Sequence, residues 1–66
     1  MSVAKVIEII AEGDSFEGAI ESGVREASKT VRSIRAVNVE NIQGLVEDGQ
    51  VVRYRANLKV TFVVED

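Results

Sequence analysis

The sequence predicts an α+β domain of order strand–helix–strand–strand. Three observations carry this: a last segment of strict apolar/polar alternation, a single amphipathic helical stretch, and an Asp-Gly turn joining two strand-like runs. In the last segment apolar residues occupy every even position from Val52 to Val64, and polar residues hold the odd ones from Arg53 to Thr61. Successive strand side chains point to opposite faces, so one face is buried and the other wetted. Thirteen residues at ~3.3 Å each span roughly 43 Å, whereas a chain of 66 residues should have a radius of gyration of about 11 Å. Such a strand overhangs its own domain and needs a cover, which another copy of the same chain would supply.

The other elements follow in order. Val3 to Ala11 reads as the first strand, since Val6, Ile7, Ile9 and Ile10 are β-branched and no Gly or Pro interrupts them. Apolar residues fall on both parities here, which suggests a central strand or one pressed into an interface. Glu12-Gly13-Asp14-Ser15 breaks that strand, and Asp14 or Ser15 caps the helix that follows. Phe16, Ile20, Val24, Ala27 and Val31 recur at helical spacing, with Ala19 and Gly23 beside them. Glu17, Glu21, Arg25 and Lys29 line the other side, acidic first and basic last, as the helix dipole favours. A helix of this extent is about 25 Å long at ~1.5 Å per residue and covers little more than half of the long strands. Ser33 to Ala36 reads as a connection and Val37 to Val46 as the second strand. Glu47-Asp48-Gly49-Gln50 then makes a type I′ hairpin. Its register pairs Val46 with Val51, Leu45 with Val52, Val39 with Leu58 and Val37 with Val60. The same register would set Asn41 and Gln43 on the apolar face, near Ala56 and Tyr54. Either a bulge intervenes there or the apolar cover ends.

Composition narrows the function. The 66 residues form one domain, 1–66, too small for two cores. A core of this size supplies only about 3–5 kcal/mol and usually needs a staple. With no Cys and no His, disulfides, the common zinc sites and the nucleophile–base pairs of hydrolases are excluded. Oligomerisation is the remaining staple, and an enzyme is not expected. The net charge of −3 gives no reason to seek nucleic acid. No apolar run of membrane-spanning length and no signal peptide are visible, and cytoplasm is the default location. The Glu47-Asp48 and Glu65-Asp66 pairs read as solvated carboxylates. Arg53, Arg55 and Lys59 form a basic row on the polar face and read as ion-pairing partners for the acidic surplus. Asp14 and Glu17 could bind a hard divalent cation, although a helix cap explains them in a lone chain.

The order of elements, the length and several strings resemble the dodecin family: Lys5-Val6-Ile7-Glu8-Ile9, Ala19-Ile20, Ala27-Ser28-Lys29-Thr30-Val31, and Tyr54-Arg55-Ala56-Asn57-Leu58-Lys59-Val60-Thr61-Phe62. The resemblance covers nearly the whole chain. It implies a three-stranded antiparallel sheet wrapped around one helix, assembled with itself into a hollow homododecamer. Family members typically bind flavins (riboflavin, FMN or FAD) in pairs and act as flavin stores or buffers rather than enzymes. Two positions depart from the pattern. The Trp that stacks on flavin looks like Ala36 here, and the flavin-contacting Gln after the Tyr of the last strand looks like Arg55. A methyl cannot replace an indole surface, and Arg donates hydrogen bonds but accepts none. Some dodecins without this Trp resemble calcium-binding shells, so a divalent cation, with Asp14 and Asn41 near its site, is the alternative ligand. A purely structural assembly is a third reading.

Overall fold

In a computed structural model, residues 3–64 are described; the Glu65-Asp66 pair lies outside them. The elements are β1 (Val3–Gly13), α1 (Phe16–Ala27), β2 (Ile34–Glu47) and β3 (Gln50–Val64). The three strands form one antiparallel sheet of order β1-β3-β2, with α1 against one face. β3 therefore lies in the centre and β1 at an edge. The two-sided apolarity of β1 does not mark a central strand: its outward Val6 and Ile10 are 56% and 68% exposed.

Each element departs slightly from its sequence-based bounds, for local reasons. β1 runs two residues further, to Gly13, because Glu12 and Gly13 still pair with Arg55 and Tyr54. The cap of α1 is Ser15, whose Oγ accepts from the Gly18 amide at 2.9 Å; Asp14 precedes it and does not cap. The helix stops at Ala27 rather than continuing to Val31. The Ser28 hydroxyl donates to the Arg25 carbonyl at 2.9 Å, and the amides of Thr30 and Val31 both turn back to the Ala27 carbonyl. Hydroxyl side chains that bond the backbone locally compete with continued helix. Ser33 then takes a left-handed φ of 61°, and β2 begins at Ile34, inside the stretch read as a connection. At the hairpin, Asp48 (φ 51°) and Gly49 (φ 75°) are both left-handed, as a type I′ turn requires.

The register set by the turn holds next to it and again from Val39 to Ala36, shifts between these stretches, and shifts once more beyond Ala36, where Ile34 pairs with Phe62. Val46 pairs with Val51, Val39 with Leu58 and Val37 with Val60, as the turn dictates. Leu45 pairs with Arg53 rather than Val52, and Asn41 and Gln43 pair with Asn57 and Arg55 rather than approaching Ala56 and Tyr54. One bulge at Val52 moves the register by one residue, and a second at Glu40 moves it back. A one-residue slip exchanges the two faces of a strand. Ile42 thereby comes to the helix side opposite Ala56, where it packs against the core. Asn41 and Gln43 move to the face away from the helix.

The core is narrow. Its fully buried large side chains are Leu58 and Val60, joined by Ala19, Ala27 and Ala56. The helix buries Ala19, Gly23 and Ala27, a seam of small residues; Phe16, expected in the apolar stripe, is 51% exposed. Its ring meets Tyr54 edge-on at a centroid distance of 5.1 Å. Small residues let the helix backbone approach the sheet closely. A Cβ at Gly23 would lie 2.6 Å from Leu58 Cδ1, and one at Gly13 would lie 2.5 Å from the Ala19 backbone nitrogen.

The glycine contacts set up two stability measurements. Gly13→Ala forces a methyl into helix backbone that cannot swing aside, and overpacking of this kind costs roughly 1–3 kcal/mol. Gly49→Ala meets no atom within 4 Å and bears only the left-handed backbone cost of about 1–2 kcal/mol. Urea unfolding at fixed protomer concentration should therefore place both variants below the parent. Gly13→Ala should also disturb the near-UV signal of Tyr54, while Gly49→Ala leaves it unchanged.

Candidate functional site

The sheet face away from α1 carries the polar side chains. On β3 these are Arg53, Arg55, Asn57, Lys59 and Thr61, which alternate with the buried Ala56, Leu58 and Val60. On β1 they face Glu12, Ile10, Glu8 and Val6 in register. The Glu12 carboxylate holds two cations: Arg55 donates from Nε and Nη2 to Oε2 at 3.3 and 3.1 Å, and Arg53 Nε lies 3.5 Å from Oε1. One step along, Asn57 Nδ2 donates to Glu8 Oε2 at 2.9 Å. On the β2 side, Lys59 Nζ is 3.6 Å from Glu40 Oε1. The basic row is thus laced to carboxylates on both neighbouring strands, as expected from the sequence. The bulge residue Glu40 supplies one of those carboxylates.

Ile10, Asn41, Gln43, Arg55 and Asn57 line a hollow of about 160 Å³ on this face. It exists because of the paired bulges: without the slip, Asn41 and Gln43 would point to the helix side. The hollow brings Arg55, expected at a flavin site, together with Asn41, expected near a cation. It also adds Gln43, Asn57 and Ile10, which the sequence reading did not assign to a site. The signal for Gln43 was present in the sequence, as a polar residue that the hairpin register would have buried.

The other two expected residues lie elsewhere. Ala36 is exposed on the same face and pairs with Thr61. Thr61 lies six residues along β3 from Arg55, which is roughly 20 Å at ~3.3 Å per residue. Asp14 lines a separate shallow hollow with Ser15, Phe16, Glu17 and Tyr54 at the start of α1. Asp14 and Asn41 therefore do not converge within one chain. Among the described residues no group of three or more Asp and Glu side chains could hold a metal ion. Calcium wants six to eight oxygens, so a cation site would need carboxylates from several copies. A further hollow, of about 430 Å³, lies between the outer edge of β1 and α1 and includes Ile7, Ile9, Gly23 and Ala27. No described helix is long and apolar enough to cross a membrane.

With this geometry in hand, comparison with known proteins decides the family. The Dodecin family model matches residues 3–65. The chain belongs to the dodecin family. Among solved structures it is similar to a Thermus thermophilus dodecin variant at 28% identity, with a TM-score of 0.93 over 100% of this chain and 98% of that one. It is also similar to the dodecin of Streptomyces coelicolor at 30% identity, with a TM-score of 0.92 over 98% of this chain and 94% of the other. The dodecin of Streptomyces davaonensis, at 24% identity and a TM-score of 0.92, shares the fold. No curated protein matches. The order β-α-β-β and the three-stranded antiparallel sheet are those of the dodecin fold.

The Glu12 ion pairs are half-exposed, with Arg55 at 42% and Glu12 at 38% side-chain exposure, so solvent screening keeps their contribution small. Glu12→Gln should lower stability by less than about 1 kcal/mol. The difference should disappear above ~1 M salt, where the screening length falls to about 3 Å. Chemical unfolding in urea at two ionic strengths measures both effects; a salt-independent loss would show that Glu12 acts through packing instead.

Proposed function

We propose that this chain is a non-enzymatic binding and storage protein that assembles into a hollow homododecamer and holds flavin without covalent attachment. The observation that carries the reading is the dodecin fold itself, matched over the full chain, on a protomer that cannot cover its own apolar surface. The protomer measures 51 × 19 × 13 Å with a radius of gyration of 13.6 Å. Its accessible surface is 4906 Å², about a fifth more than the ~4,100 Å² usual for a folded monomer of this mass. Val3, Val6, Ile10, Phe16, Val39, Val46, Val51, Val52 and Val64 are all left at least 39% exposed. Burial of apolar surface at ~25 cal/mol per Å² drives self-association, and closed symmetric assemblies are the common outcome.

Flavin binding is proposed to be weak. One of the similar Thermus thermophilus structures is a dodecin in which a Trp has been replaced by Phe, so that protein carries a Trp; this chain has none. Ala36 offers a methyl at the position the family resemblance gives to the stacking residue. The roughly 20 Å between Ala36 and Arg55 is too far for one flavin ring to touch both side chains in one protomer, which favours a ligand held between copies.

Assembly and ligand have separate tests. Light scattering at micromolar protomer concentration should give a mass near twelve chains, and a stable monomer would sink the assembly. Leu58 is fully buried, so Leu58→Asp places an unpaired charge in the core and should abolish folding or assembly. Titration of riboflavin, read by fluorescence quenching, should show weak binding to the parent. Ala36→Trp should bind about tenfold more tightly, since aromatic stacking adds on the order of 0.5–1.5 kcal/mol beyond area burial. Tight binding by the parent would contradict the role given to Ala36, and no gain with Trp would place the flavin elsewhere.

A further inference from the structure

The paired bulges at Glu40 and Val52 have one result on the polar face: they place Asn41 and Gln43 on the same sheet face as Asn57 and Arg55. Gln43 becomes the register partner of Arg55, and directly opposed residues on one face of an antiparallel pair have Cβ atoms about 4.5–5.5 Å apart. The two side chains therefore act as one recognition unit, and their chemistry is complementary. Arg only donates, whereas a carboxamide both donates and accepts. Glu12 takes Arg55 Nε and Nη2, which fixes the guanidinium plane and leaves Nη1 to donate. Asn57 is fixed in turn by its Nδ2 bond to Glu8, leaving its Oδ1 to accept. Ile10, 68% exposed, closes one side of the hollow with an apolar surface.

We infer that this hollow is a recognition site for the imide edge of a flat heterocycle, with Gln43 as its specificity-determining residue. An imide edge presents acceptor, donor, acceptor in a row: two carbonyl oxygens flank an N–H. Arg55 alone can serve a carbonyl and leaves the N–H without an acceptor. Gln43 supplies that acceptor from the neighbouring strand, and its amide N–H can serve the second carbonyl. The apolar wall at Ile10 suits a ring face. The hollow's volume of about 160 Å³ falls below the ~300 Å³ at the small end of ordinary ligand pockets, so it houses an edge and not a whole ligand. The pyrimidine ring of a flavin ends in such an imide, so this assignment rests on the flavin reading above and specifies which chain residues read the ring.

The test is a ligand–protein cycle on the assembled protein, with riboflavin and N3-methylriboflavin as probes. The methyl removes the imide donor and leaves the ring system otherwise intact. Both are titrated by fluorescence quenching against the parent, Gln43→Leu, Ala36→Trp and the Ala36→Trp/Gln43→Leu double variant. Light scattering confirms that each remains assembled; Gln43 is exposed, so its loss should not disturb the fold. The expected result is about tenfold weaker binding of N3-methylriboflavin than of riboflavin wherever Gln43 is present, and equal binding of the two wherever it is Leu. A discrimination that survives Gln43→Leu, or none in the presence of Gln43, overturns the inference while leaving flavin binding in place. The Trp background keeps the comparison measurable if the parent binds too weakly to titrate. Binding of neither probe to any intact assembly overturns both the inference and the flavin reading.

Discussion

A twelve-residue helix is about 18 Å long at ~1.5 Å per residue, and it lies against a strand of fifteen residues, which spans about 50 Å at ~3.3 Å per residue. The mismatch shapes the rest of the molecule. Side chains under the helix are buried: Ala56, Leu58 and Val60 have no accessible surface. Beyond it the same alternation continues with nothing above it, and Val46, Val51, Val52 and Val64 are exposed. A strand pattern specifies a face but not its cover. Here the chain is too short to provide one, and the helix cannot be lengthened without displacing the turn that starts β2 at Ile34. The small seam of Ala19, Gly23 and Ala27 belongs to the same constraint. A thin core yields little apolar burial, so close backbone approach is a way to increase contact within it.

The paired bulges act within that frame. A long two-stranded ribbon in perfect register would place every second residue of β2 against the helix, including Asn41 and Gln43. Burying two carboxamides without partners is costly. Inserting one residue in β3 and one in β2 exchanges the faces over a short stretch and restores the original register on both sides. The core receives Ile42, and the polar face receives two amides beside Arg55 and Asn57. Core packing and the building of the polar hollow are therefore a single structural event. Bulges commonly re-aim side chains in this manner beside binding sites.

Much of this was legible in the sequence. The alternation of β3 fixed its two faces, Asp48-Gly49 fixed the turn, and the resulting register was correct at Val46, Val39 and Val37. The polar residues at 41 and 43 marked where that register had to fail, but two bulges of opposite effect leave no net trace in the spacing, so their positions could not be read. The helix end is not legible in the same way, because Val31 keeps the apolar period although α1 ends at Ala27. The hydroxyls of Ser28 and Thr30, which bond back to Arg25 and Ala27, outweighed it. The edge position of β1 was hidden for a different reason. Its outward Val6 and Ile10 look like core residues, and a sequence does not distinguish burial within a chain from burial between chains. At the site, the sequence points Arg55 and Asn41 to different ligands, and only the register joins them.

The carboxylates on β1 bear on how such a face can hold a ligand at all. Arg53 and Arg55 share Glu12, Lys59 is matched by Glu40, and Glu8 stands opposite Lys59 and beside Asn57, so the three cations of the basic row face three carboxylates. A free cationic row would favour any anion, with an affinity that salt would screen. Pairing instead fixes the directions of the remaining N–H groups. A half-exposed ion pair contributes little to stability, but it removes rotamer freedom from Arg55 before a ligand arrives. Restricting that side chain in advance lowers the ordering cost that binding must otherwise meet, about 0.5–1.5 kcal/mol for each immobilised flexible side chain. Paired and pre-oriented in this way, the guanidinium is suited to recognition by hydrogen-bond pattern more than by charge. That is the property a neutral, flat, imide-bearing ring requires of its site.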